Sequence, residues 1–183
     1  MACPGSVSLL GGYRDEDEDD SYSKPGSAAH ILAETCLRDG VDAWEYIGFV
    51  DAATSLPVDQ EMANAVQVYL DAVRQAHPDR DQNNFFIERH FRCLNLHKFF
   101  FGTSDVTYID TPARTLHVWD FKYGAGIVVE AKGNPQGMYY ACGMLEELGL
   151  WDSDVDRVVV HIAQPRGWHD QGPIRDWTVS RDD

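Results

Sequence analysis

The apolar residues change their spacing at residue 85, and that switch confines the chain to a domain mixing helices with a β-sheet. Before it, Val58, Met62, Val66, Tyr69, Leu70 and Val73 recur at helical spacing and form one stripe facing a core. This helix is expected to begin near Pro57 and to end before Pro78. From Phe85 the period is two: Phe85, Ile87, Phe91 and Cys93 point one way, and Glu88, His90 and Arg92 the other. Two more strands are expected over about 101–109 and 116–123. An earlier helix takes Ser27 as its N-cap and stops at Gly40, after Asp39. A later one has Asn134 as N-cap and Pro135 at its first position, and stops before Gly149. Arg157–Ala163 and Ile174–Val179 complete the strands. Helix, helix, three strands, helix, two strands describes a single α/β domain over 1–183, with residues 1–25 as an irregular acidic lead-in.

Several classes are disfavoured at once. No stretch approaches the ~18 apolar residues of a membrane span, and the amino terminus lacks a basic segment followed by an apolar one. Cys3, Cys36, Cys93 and Cys142 are widely scattered, which suits reduced thiols in a cytoplasm. The formal net charge of -15 argues against a nucleic-acid protein, because phosphate neutralisation normally asks for a basic surface. Asp15 to Asp20 is a block of like charge and reads as a solvated loop.

The chemistry concentrates in Gly102-Thr103-Ser104-Asp105 and in Asp120-Phe121-Lys122, on two strands joined by Thr111-Pro112-Ala113-Arg114. If Asp110 and Thr115 close that loop, the pairing steps back to place Asp105 opposite Asp120. Opposed side chains share a face with Cβ atoms ~5 Å apart, and Lys122, two residues on, shares it too. Two carboxylates that close repel each other, and a hard divalent cation is a natural partner for them. A lysine beside such a site can orient water for attack on a phosphodiester. A surface hairpin with a weak Asp–Lys pair is the plain alternative.

Four segments in order carry a resemblance. Gly102-Thr103-Ser104-Asp105, Asp120-Phe121-Lys122 and Gln136-Gly137-Met138-Tyr139-Tyr140 resemble the motifs of the RecB-like and lambda-exonuclease-type PD-(D/E)xK nucleases, and Gly26 to Glu34 resembles their first helix. With Cys3-Pro4-Gly5-Ser6, the segments look like a phage-encoded member, over about residues 3–165. The resemblance implies a restriction-endonuclease-like core, a central mixed β-sheet flanked by helices. It also implies a metal-dependent deoxyribonuclease, an exonuclease on linear DNA in phage recombination or replication. Asp105, Asp120 and the Phe121 carbonyl would hold Mg²⁺, or Mn²⁺ in its place, and His30 would add an imidazole. Lys122 would position the attacking water. Gln136 and Tyr140, one helical turn apart, would contact DNA or hold Lys122, and Glu34 would stand behind His30.

Some features depart from that pattern. Some relatives tie an iron–sulfur cluster with one early and three late cysteines; here none follows Cys142, so no cluster is expected. The chain ends close behind its last strand, where many relatives continue, so a fragment and a minimal member are both open. A homo-oligomeric ring, or a phage recombination partner, would reconcile the acidic charge with DNA. The rival reading is a nuclease-fold protein that does not cut and whose charge mimics DNA to inhibit a host DNA-binding factor. His90, Cys93 and His97 have zinc-like spacing but lack an evident fourth ligand.

Overall fold

A computed structural model describes residues 20–94, 97, 99–151 and 155–180, with side chains from Lys24 onward. Cys3-Pro4-Gly5-Ser6 and most of the acidic run lie outside the described residues. The elements are α1 (Asp20–Asp39), a 3-10 turn (Ala43–Tyr46), α2 (Gln60–Ala76), β1 (Phe85–Arg92), β2 (Phe101–Asp110), β3 (Thr115–Phe121), α3 (Pro135–Glu147), β4 (Arg157–Ala163) and β5 (Ile174–Ser180). The strands lie side by side in chain order, β1-β2-β3-β4-β5. β3 and β4 are parallel because α3 carries the chain back between them; every other pair is antiparallel. The protein is therefore α/β, with a mixed sheet flanked by three helices.

Each face of the sheet has its own core. α1 and α2 bury Leu32, Met62, Val66 and Leu70 against Val106, Trp119 and Phe121. α3 buries Ala141, Met144 and Leu145 against Leu116, Val118, Val160 and Ile162. All six residues of the stripe Val58 to Val73 are buried, as their period requires. α3 lies close to the sheet, and Gly143 permits it: a Cβ there would sit 2.2 Å from Cδ2 of Phe91. Among the described residues no helix is long and apolar enough to cross a membrane.

Three expectations are corrected. α1 starts at Asp20, not at Ser27, so residues 20–25 are helical and not part of an irregular lead-in. Pro25 lies inside α1, where it removes one backbone bond close to the N-terminal end. α2 starts at Gln60 and not near Pro57, because the Asp59 side chain caps it by accepting from the Met62 N–H. β1 does not keep one alternation: Phe85 and Ile87 pack toward α1 and α2, whereas Phe91 packs under α3. The cause is Glu88, whose φ of +47° turns the strand over without changing its register with β2.

Candidate metal and catalytic site

The β2–β3 register runs from Asp110↔Thr115 to Val106↔Trp119, and the next rung along is Asp105 and Asp120. There the regular ladder gives way. The Phe121 N–H donates to Asp105 Oδ2 at 2.7 Å, a side chain taking the bond a main-chain carbonyl would have accepted. The Lys122 N–H turns the other way, to the Ala163 carbonyl at 2.8 Å. By strand alternation the Phe121 carbonyl therefore points to the Asp105 side. The β1–β2 ladder breaks at the same level. Ile87↔Val106 and Arg89↔Ser104 are paired, and the rung between them is Glu88 beside Asp105. Glu88, Asp105 and Asp120 thus form one row across three strands.

α1 brings His30 over this break. Its Nδ1 lies 3.6 Å from Asp105 Oδ2 and 3.9 Å from Glu88 Oε1. One atom from each of the three lies within 4.8 Å of the others, close enough to share a cation. With α1 beginning at Asp20, His30 is a mid-helix residue and not an N-terminal one. Tyr69 of α2 stacks on Phe121 with centroids 4.8 Å apart, and its buried hydroxyl has no hydrogen-bond partner. It lines the same small cleft as His30, Glu34, Glu88 and Asp105. Glu34 does not back His30; its carboxylate is taken by Arg38 at 2.9 Å, one turn along α1.

Asp120 belongs to a second group, under α3. Lys122 Nζ donates to Asp120 Oδ1 at 2.9 Å and to Gln136 Oε1 at 2.9 Å. Gln136 in turn donates from Nε2 to the Tyr140 hydroxyl at 2.6 Å. Gln136 reaches the lysine because Asn134 caps α3 by accepting from the Gly137 N–H, aiming the first turn at the end of β3. The two groups meet at the Asp105–Asp120 rung: His30, Glu88 and Asp105 on one side, Asp120, Lys122, Gln136 and Tyr140 on the other.

The charges are held at a cost. Burial raises Asp105 to about 7; His30 and the Phe121 N–H oppose the rise, and the Asp120 and Glu88 carboxylates add to it. Burial also raises Asp120, against the pull of Lys122. Burial alone would lower His30, but Asp105, Glu88 and Asp120 together carry it up to about 8. Asp120 Oδ2 lies 2.8 Å from Lys122 Nζ, yet not at an angle that makes a hydrogen bond, so a buried carboxylate oxygen is left unsatisfied. Three acids, one of them with an orphaned carboxylate oxygen, and an imidazole fit a divalent cation.

Glu88 and Tyr69 were not legible as site residues. Glu88 reads as a solvent-facing strand position, since the β1–β2 connection is too long to set a register by counting. Tyr69 reads as core. Among the described residues His90, Cys93 and His97 do not gather: His90 pairs with Thr103 Oγ1 at 2.7 Å, and His97 Nδ1 accepts the Phe99 N–H at 3.2 Å.

A family model with the description "Protein of unknown function (DUF2800)" matches residues 1–183. No solved structure matches the chain.

Proposed function

The chain belongs to the DUF2800 family, whose description assigns no activity, and we propose from its site that it is a divalent-metal-dependent deoxyribonuclease. The observation that carries this reading is the Asp105–Asp120 rung, with an imidazole on one side and a glutamine-held lysine on the other. Asp105, Asp120, the Phe121 carbonyl and His30 would hold Mg²⁺, with Mn²⁺ as a substitute, and Glu88 supplies a further carboxylate within reach of His30 and Asp105. When bound, the ion would polarise a phosphoryl oxygen and make hydroxide available near neutral pH. Lys122, held by both Asp120 and Gln136, would keep the Gln136 bond when Asp120 serves the ion and would orient the attacking water. Tyr140 fixes the amide of Gln136, and so the direction of the lysine.

Action on the ends of linear DNA, in a phage recombination or replication setting in the host cytoplasm, follows from the motif resemblance. So does assembly with further copies or a recombination partner. The test is end-labelled linear duplex and closed circular duplex incubated with Mg²⁺. Wild type should release label from the linear DNA and spare the circle, and Asp120→Asn should release none. Undiminished linear DNA with wild type would overturn the proposal.

The net charge of -15 favours one second reading, a protein that keeps this fold, does not cut, and competes with DNA for a basic partner. That reading gains if the Mg²⁺ assay is silent and the protein displaces DNA from a basic DNA-binding protein.

A further inference from the structure

His77, His117 and His161 come from three distant parts of the chain and meet on the α2 side of the sheet. One ring atom from each lies within 4.8 Å of the others. His77 follows the last turn of α2, its N–H bonded to the Val73 carbonyl at 3.1 Å. His117 stands on β3 and His161 on β4, two rungs apart in the parallel register. The rings are fixed by stacking: His161 on Trp119 with centroids 4.0 Å apart, and His77 on Tyr108 at 4.1 Å. His77 and His161 are almost wholly buried.

The hydrogen bonds define which nitrogens carry lone pairs. His161 Nδ1 faces Asp176 Oδ1 at 2.6 Å, so Nδ1 carries a proton and Nε2 is the nitrogen turned into the cluster. That Nε2 faces His117 Nδ1 at 2.9 Å. The Trp119 indole N–H donates to His77 Nε2 at 2.8 Å, so this nitrogen is unprotonated, and an ion there takes the lone pair by displacing the indole donor. Three imidazoles gathered within 4.8 Å, one of them braced by a carboxylate, form the ligand arrangement preferred by zinc-class ions.

We propose that His77, His117 and His161 bind one divalent transition-metal ion of the zinc class, with Asp176 setting the tautomer of His161. The site is separate from the carboxylate rung, and the proposal does not depend on nuclease activity. Nitrogens around a tetrahedral zinc at ~2.0–2.1 Å lie roughly 3.3–3.4 Å apart, so the His117–His161 pair opens slightly and His77 closes in. His117 gives its Nδ1 lone pair to the ion by moving that ring's proton to Nε2, with no change in charge. His117 is half-buried, so its ring is the edge of the cluster nearest solvent. The rival is a closed chain of hydrogen bonds from His117 through His161 to Asp176.

Co²⁺ titration of the Asp105→Asn protein, followed by visible absorption, tests this with the carboxylate site weakened. One equivalent should give the intense band of tetrahedral coordination, and Zn²⁺ should displace it. His117→Gln should abolish the band. Asp176→Asn changes an exposed side chain and leaves the core alone; it should weaken Zn²⁺ binding ~10–100-fold. No tetrahedral band, a band that survives His117→Gln, or unchanged affinity in Asp176→Asn would each overturn the site.

Discussion

The carboxylate rung and the histidine cluster are built on the same sheet, yet burial ends with opposite results for their histidines. At the rung, His30 faces Asp105, Glu88 and Asp120, and their charges outweigh desolvation and carry it up to about 8. In the cluster, His77 faces two other imidazoles and Arg80, and His117 lies against His161; burial dominates and both fall, to about 3 and about 4. Burial therefore sets the sign where the opposite charge beside the ring is too weak to outweigh it, as Asp110 and Asp176 are at His117. The rung gathers excess negative charge suited to a hard cation with oxygen ligands. The cluster gathers imidazole nitrogens suited to a softer one.

The largest expected effect separates function from stability at the rung. Asp105→Asn should lower Mg²⁺-dependent cleavage by ~10³-fold or more, while raising the melting temperature of metal-free protein at pH 8. A fall in both would mean that Asp105 serves the fold. Next, Lys122→Ala should reduce kcat by ~10²–10³-fold and leave Mg²⁺ affinity, read by calorimetry, close to wild type. Equal loss of affinity would make the lysine part of the cation site.

The pH dependence of stability should show the contrast directly. Asp105 rises from 3.8 to about 7 and His30 from 6.5 to about 8 on folding. Both contribute most at low pH, so their part of the stability of metal-free protein is lost as pH rises from about 4 to about 8. His77 and His117 fall from 6.5, so their part is present above that value and lost as pH drops toward about 4. Melting curves across this range should show both limbs, and saturating Mg²⁺ should flatten the alkaline one alone. An alkaline limb that Mg²⁺ does not move would break the comparison. The smallest effect is expected at Glu34→Gln, which loses only a partly exposed pair with Arg38, worth ~0.2–0.5 kcal/mol, and leaves cleavage unchanged. A large loss of activity would return Glu34 to the metal site.

Legibility followed the range of the contact. The α2 stripe could be read because helical spacing is local, and the β2–β3 register because Thr111–Arg114 is a short loop that leaves one convenient pairing. Asn134 and Pro135 marked the start of α3, and with it the placement of Gln136. The reversal of β1 at Glu88 was hidden, because a positive φ in a non-glycine residue depends on the strain its surroundings will hold.

What the order of residues determined by itself was an α/β chain with Asp105 and Asp120 facing each other on one rung of a hairpin and Lys122 close by. Only the tertiary structure decided what those groups meet: Glu88 from β1, His30 and Tyr69 from α1 and α2, and, elsewhere on the sheet, three histidines drawn from positions 77, 117 and 161. The reason is that short-range pairings are constrained by loop length and backbone geometry. Long-range neighbours are selected by packing two cores against both faces of one sheet, which no local spacing records.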